Sequence, residues 1–559
     1  MASPEQVRDP DGAGVARFLA PLQGGGVVLG AILFSLSLTP SLVPREPMVQ
    51  GLLGGLVFSV GYATWFGLVT LFRWLGVRPL PADARRIVMR VCLGLTGLGT
   101  AICLWRSADW QDSVRAAWGL PPTDTGAPLI VLALAAAIFV VLLFFGRSFQ
   151  LLASDGSRRG RRFLPPRVAN LLGGLAALAI FWAVVDGVGM RYALRAIDNA
   201  SQLADAIVAP DLARPGDPLK SGSAASLVGW EDLGRWGRDF VSSGPEAAEI
   251  GAFWNAPAKE PIRVYVGLNA AETPEARARL AFDELLRVGG FERRTLVIAM
   301  PTGSGWLDPG AMDSLDYITR GDVATVSVQY SYLSSPVSVI VDPEHGLAEA
   351  QALFDLVYRH WTGLPADARP GLYLHGLSLG AFLSQETVPL LDVLGDPFQG
   401  AMWTGSPFLS GFWNMVVTRR QPDSPAWQPR FGNGSLIRTA NQDARFARFD
   451  ADWGPMRLVF LQYGSDPIVF FDWSLAWRAP DWLTGPRAPD VSPKMRWVPV
   501  VTLLQVGVDM AVALGTLGHG HDYVARHYIP AWAATLAPEG WDAATEARLV
   551  EHLRDLVPR

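Results

Sequence analysis

Five apolar stretches, each about twenty residues long, fill the first third of the chain, and no other feature restricts its fold so strongly. They run Gly24–Val43, Met48–Phe72, Ile87–Trp105, Ala127–Phe145 and Val168–Val188. Each is long enough to cross a hydrocarbon core of about 30 Å, and none has a charge near its centre. Five such runs in succession argue against buried helices of a soluble protein. The expectation is an α-helical transmembrane bundle of about five spans over residues 1–190. A cleaved leader fits poorly, because the first stretch follows a polar, acid-containing tail and more apolar stretches come after it.

Arginine placement orients the bundle. The second connection carries Arg73, Arg78, Arg85 and Arg86, and the fourth carries Arg147, Arg158, Arg159, Arg161, Arg162 and Arg167. The first has only Arg45, and the third dilutes Arg106 and Arg115 with Asp109, Asp112 and Asp124. Basic side chains stay on the cytoplasmic side. The N-terminus is therefore expected in the cytoplasm, and everything after about residue 190 on the outer face. The run Arg158–Arg162 reads as a juxtamembrane signal rather than a nucleic-acid patch, and a net charge of −5 also excludes a general nucleic-acid binder. With 50% apolar residues the chain has ample surface to bury. Its two cysteines, Cys92 and Cys103, exclude a disulfide scaffold and a Cys-rich metal site.

Residues 191–250 read as a juxtamembrane linker with amphipathic helices, Arg191–Val208 and Ser226–Phe240, on either side of the loop-like Pro210–Ser223. From residue 251 to 559, short β-branched runs alternate with helical periodicity. Such alternation predicts a mostly parallel sheet flanked by helices, with its chemistry beyond the carboxyl ends of the strands.

Three of those ends carry candidate chemistry. Gly376-Leu377-Ser378-Leu379-Gly380 lies between a strand and a helix. A nucleophilic serine needs a sharp strand-to-helix turn, with small residues two positions before and after it; Gly376 and Gly380 meet that demand. Asp466 closes a late strand in Gly464-Ser465-Asp466-Pro467 and fits a triad acid, with Asp472 as runner-up. Gly518-His519-Gly520-His521-Asp522-Tyr523 supplies two histidines after the acid, and either fits a general base. A metal reading lacks a third ligand, so no metal and no cofactor are expected. Oxyanion donors are expected from the Leu379 N–H and from Thr302 or Gly303 in the loop after an earlier strand.

These motifs, with Ser221-Gly222-Ser223, Ser226-Leu227-Val228, Trp230, Thr302-Gly303-Ser304-Gly305-Trp306 and Gln329-Tyr330-Ser331-Tyr332-Leu333, carry a resemblance that spans nearly the whole chain. The chain resembles the bacterial α/β-hydrolase family of membrane proteins, in which a multi-span N-terminal region precedes a serine-hydrolase domain. The resemblance implies an α/β-hydrolase domain over 251–559, Ser378 as nucleophile, and a base at His521 with His519 in reserve. It implies the inner (cytoplasmic) membrane of a bacterium, so that the outer face expected from the arginines is the periplasmic side, and it names no substrate.

Two insertions, Phe408–Pro455 and Phe470–Leu517, read as lid elements, with a core helix as the alternative for the second. The second holds Trp473, Trp477, Trp482, Trp497 and a greasy run from Val498 to Leu514. The expected function is a membrane-anchored serine esterase or lipase with the triad Ser378, Asp466 and His521. Its partners would be membrane lipids and a lipid or acylated small-molecule substrate, with no nucleic acid. An acyltransferase using the same triad, or a non-catalytic scaffold that kept the fold, are the alternatives.

Overall fold

A computed structural model describes residues 21–77, 81–123, 127–182, 202, 205, 212–333, 346–388, 390–442, 446, 449 and 451–554. The chain divides into two compact units. A helical unit comprises Met1–Ala196 together with Ser492–Val508, and an α/β unit comprises Ile197–Val491 with Asp509–Arg559.

Each of the five apolar stretches folds as a helix: α1 (Gly24–Ser37), α2 (Pro47–Trp74), α3 (Ala82–Ala117), α4 (Pro128–Gly160) and α5 (Pro166–Trp182). Among the described residues, three of them, α2, α3 and α4, are long and apolar enough to cross a membrane, fewer than the five spans expected. Helix α1 stops at Ser37 after 14 residues, about 21 Å at 1.5 Å per residue. The reason lies in Thr39-Pro40. Proline offers no N–H and pushes the residue before it out of helical geometry. The carbonyls freed at this early end are met by side chains. Gln50 Nε2 donates to Ser37 O at 3.2 Å, and Gln505 Nε2 donates to Ser37 O at 3.2 Å and Thr39 O at 3.0 Å. The described part of α5 is 17 residues, about 26 Å; residues 183–188 of the fifth stretch and the helix expected over 191–208, save 202 and 205, lie outside the described residues.

Small residues let these helices approach closely. A Cβ on Gly61 of α2 would stand 2.8 Å from the Gly30 Cα of α1, and one on Gly55 would stand 2.8 Å from Ala135 O of α4. Phe34, Leu38, Val131 and Ala135 form one apolar cluster, and Leu53, Val57 and Val501 another. Val501 belongs to the segment expected as part of a lid. Residues 492–508 instead pack within the helical unit, where Ser113 Oγ and Ser492 Oγ are 2.7 Å apart and Lys494 Nζ donates to Asp109 O at 3.3 Å.

In the α/β unit, helices α6 (Gly234–Ser242) and α7 (Ala247–Trp254) lead into β1 (Ile262–Val266), α8 (Pro274–Arg287), β2 (Thr295–Met300), α9 (Pro309–Ile318), β3 (Val323–Val328) and α10 (Leu347–Gly363). Then come β4 (Gly371–Leu377), α11 (Leu379–Glu386), α12 (Leu390–Gly395), β5 (Gly400–Thr404), α13 (Gly411–Thr418), β6 (Ile437–Ala440) and β7 (Arg457–Leu461). Helices α14 (Pro467–Phe470), α15 (Asp481–Thr484), α16 (Val501–Ala511), α17 (Ala525–Leu536) and α18 (Ala543–His552) follow, α16 beginning in the helical unit. The strands form one sheet in the order β1-β3-β2-β4-β5-β7-β6, every pair parallel. Consecutive strand residues are buried, as in β2 and β3, so both faces are covered. Trp361, Trp403, Trp413 and Trp532 are the largest fully buried side chains. Residues 231–250, expected as part of the linker, belong to this unit: Arg263 Nη1 on β1 donates to Phe240 O of α6 at 3.0 Å.

Arg263 is the polar tie of that edge. Its guanidinium donates to Asp313 Oδ1 at 2.6 Å and to Asp316 Oδ2 at 2.7 Å on α9, all three groups buried. Removing one partner of a buried ion pair leaves uncompensated charge. Arg263→Met is expected to destabilise the α/β unit by about 3–5 kcal/mol, read as a fall in the thermal unfolding midpoint; an unchanged midpoint would contradict this role.

Candidate active site

Ser378 sits between β4 and α11 with φ 58° and ψ −126°. A non-glycine residue adopts such a backbone only when its surroundings hold it there. The holding is visible on both sides. A Cβ on Gly376 would stand 2.3 Å from the Gly380 carbonyl, and one on Gly380 would stand 2.1 Å from Met300 O of β2. Both glycines are thus demanded by close backbone approach. The Ser378 N–H donates to Thr404 O at the end of β5, at 3.0 Å. As the first residue of α11, Leu379 has an N–H with no acceptor inside its own helix.

The next residue along β5's end is Gly405, at φ 55°. Its N–H donates to Leu461 O of β7 at 3.0 Å. A Cβ here would stand 2.7 Å from His521 Cε1 and 3.0 Å from Tyr523 Cε2. One dipeptide, Thr404-Gly405, therefore receives the Ser378 turn on one residue and the His521 ring against the other.

Asp466 is fully buried and is met by three donors. Its Oδ1 accepts from the Ile468 N–H at 2.9 Å as the cap of α14, and its Oδ2 accepts from His521 Nδ1 at 2.6 Å and from Tyr523 Oη at 2.9 Å. A carboxylate only accepts, so the proton shared with His521 sits on Nδ1. His521 Nε2 is then a bare lone pair, buried and without a hydrogen-bond partner. Burial holds the Tyr523 phenol well above its ordinary value, so it stays a donor.

His519 lies two residues away but is not the histidine on Asp466. Burial pushes its imidazolium down, partly offset by Asp490. Asp472, the alternative acid, instead caps the turn Trp473–Ala476 through the Ser474 N–H at 2.6 Å. His375 and His527 are buried and pushed down to about 4 and about 3, chiefly by desolvation. Both are neutral structural groups: His375 Nδ1 meets Met402 O at 2.8 Å, and His527 Nδ1 bonds the Tyr463 hydroxyl while its Nε2 accepts from Arg526.

The loop after β2 is pinned by residues to which sequence reading assigned no role. Tyr265 Oη donates to Gly305 O at 2.7 Å, and Gln329 Nε2 donates to Ser304 O at 3.0 Å. Gln329 Oε1 in turn accepts from the Leu268 N–H at 3.1 Å, joining the loops after β1, β2 and β3. Of the two residues expected to offer an oxyanion N–H from this loop, Thr302 has its N–H engaged with Trp306 O at 2.9 Å, because the loop closes on itself as a tight turn. Gly303 is buried beside it. Among the described residues, no group of three His, Cys, Asp or Glu stands close enough to hold a metal ion.

The tight turn at Ser378 after β4 and the Asp466–His521 contact beyond β7 thus both rest on Thr404-Gly405, at the end of β5 in an all-parallel sheet. Residues 262–549, over half of the chain, match the alpha/beta-hydrolase family, and residues 38–245 match that family's N-terminal region. The chain belongs to the alpha/beta-hydrolase family. No curated protein and no solved structure gives a match. The family supports a hydrolase-like fold, and two positions that contact His521 or Asp466, Gly405 and Tyr523, carry no assigned role in the sequence. Gly405 carried no motif. Tyr523 was part of the Gly-His-Asp-Tyr match, whose spacing alone gave it no role.

Two variants separate these contributions. Gly405→Ala places a methyl where the His521 ring lies, and is expected to cut reactivity of Ser378 by about 100-fold or more at a folding cost of about 1–2 kcal/mol. Reactivity would be read by active-site labelling and folding by thermal melting; retained reactivity would show that the ring tolerates displacement. Tyr523→Phe removes one donor from a buried carboxylate, worth about 1.5–3 kcal/mol, and is expected to lower kcat about tenfold or more with KM unchanged.

Proposed function

We propose that the protein is a membrane-anchored serine hydrolase acting on acyl esters of lipids or envelope components. The observation that carries this reading is the buried Asp466–His521 contact at 2.6 Å, with the opposite ring nitrogen unpartnered and Ser378 held in a strained turn. Ser378 Oγ attacks the acyl carbonyl carbon and His521 Nε2 takes the hydroxyl proton. Asp466 holds the imidazole in the Nδ1–H tautomer and stabilises the imidazolium. The oxyanion is met by the Leu379 N–H, with Gly303 as the candidate for a second donor. Collapse of the tetrahedral intermediate breaks the ester C–O bond, and the leaving alcohol takes the proton from His521. Water then repeats the sequence on the acyl-enzyme; an alcohol in its place gives acyl transfer.

The helical unit anchors the enzyme through α2, α3 and α4. Their basic ends, Arg73, Arg85 and Arg86 around the second connection and Arg158 and Arg159 in the last turn of α4, assign the same side of the membrane to both connections, which we take as cytoplasmic. We infer that the fifth apolar stretch, whose described part is the shorter helix α5, crosses as well, which puts the α/β unit on the periplasmic side of a bacterial inner membrane.

Intact-mass labelling of the detergent-purified protein with a fluorophosphonate tests the mechanism. The wild type is expected to take one adduct, Ser378→Ala none, and His521→Ala one at a rate lower by about 10³-fold or more. An adduct that survives Ser378→Ala, or no adduct in detergent and in mixed lipid micelles alike, would sink the assignment.

A further inference from the structure

The α/β unit keeps its tryptophans largely covered, with one local exception. Trp473 and Trp477 are 67% and 70% exposed. They lie four residues apart on the 3-10 turn Trp473–Ala476 and the residue that caps it. Tryptophan is highly buried on average, so two on one turn facing solvent call for an occupant. Among the described residues, the other tryptophans so exposed are Trp74, Trp105 and Trp182, and all three lie on the apolar helices α2, α3 and α5. The same turn contributes Ser474, and Arg478 follows it, to the lining of a cavity of about 260 Å³ whose walls include Trp413, Val469, Phe470 and Trp482. Phe470 ends α14, the helix that Asp466 caps.

We propose that this turn is a lipid-contact surface, with Trp473 and Trp477 seated at the headgroup level of a phospholipid bilayer and Arg478 among the phosphates. Indole pairs a large apolar body with one N–H donor and concentrates at the boundary between acyl chains and water. A basic side chain beside it gains from anionic headgroups. The covalent context favours a bilayer over a protein partner. The insertion that bears the turn, residues 470–517, also supplies Ser492–Val508 to the helical unit, whose long apolar helices require a hydrocarbon phase. The turn is therefore part of a segment that itself enters the membrane-forming unit. The aromatic walls of the neighbouring cavity suit one acyl chain drawn from that surface. In assigning lipid esters as substrates this inference rests on the hydrolase reading; the lipid contact itself does not.

The test uses the full chain in proteoliposomes of phosphatidylethanolamine and phosphatidylglycerol. In a Cys92→Ser, Cys103→Ser background, Trp473→Cys and Trp477→Cys carry an environment-sensitive fluorophore, and Leu286→Cys, an exposed apolar site on α8, serves as reference. Doxyl-labelled lipids are expected to quench the probes at 473 and 477 about threefold or more above the probe at 286. Equal quenching at all three sites overturns the proposal. A second readout compares one ester presented in vesicles and in solution. The double substitution Trp473→Ser, Trp477→Ser is expected to lower the ratio of vesicle-borne to soluble turnover about tenfold, and an unchanged ratio counts against the proposal. If Ser378 takes no fluorophosphonate while the probes are still quenched by lipid, the hydrolase reading falls and the lipid contact stands.

Discussion

A carboxylate removed from water has to be met by donors, and the arrangement around Asp466 follows from that need. Its donors come from its own turn, from the His521 ring and from the Tyr523 hydroxyl. Taking any of them away would leave buried charge short of a partner, a cost of several kcal/mol for a broken buried pair. The loop after β7 and the loop before α17 are thereby locked together, though 55 residues separate Asp466 from His521. The lock also fixes chemistry: with Nδ1 committed to the carboxylate, the ring has its lone pair at Nε2. Tyr523 also stacks on Tyr463, with ring centroids 4.0 Å apart.

Between the acid and the histidine the chain makes an excursion into the other unit. Both feet of that excursion are bonded to one residue. The Ser465 N–H donates to Asp490 Oδ2 at 2.7 Å on the way out, and Ser465 Oγ accepts from the Gly520 N–H at 3.0 Å on the way back. Within the helical unit, Gln505 helps to satisfy carbonyls that the short helix α1 leaves open. In an apolar medium such groups have no water to turn to, so a glutamine from a distant segment becomes part of the helix end. Gln505 is thus what seats this segment.

Much of the α/β unit was legible because its signals are local. A buried parallel strand reads as a short β-branched run, and Leu296–Ala299 or Val323–Val328 needs no partner to be recognised. The turn at Gly376–Gly380 was legible for a related reason: its strain demands small residues at fixed positions. The helical region was harder. Hydropathy reports apolar length but not where a helix ends, and Pro40 ended α1 well before the apolar run did. The greasy run from Val498 misled in another way, because burial against protein and burial in a lid leave the same composition.

From the sequence alone came the α/β class, the apolar N-terminal third, and the residues that strand ends must carry if a serine is to be pushed into the open. These depend on periodicity, length and steric crowding within a few residues. Spacing alone left His519 and His521 open and the family resemblance favoured His521; the tertiary structure is what puts the His521 ring, and not that of His519, on Asp466. It also decided the roles of Gly405 and Tyr523, and the destination of residues 492–508. Each of those is set by contact between segments far apart in the chain, and pairwise contact at long range leaves no pattern in a single sequence.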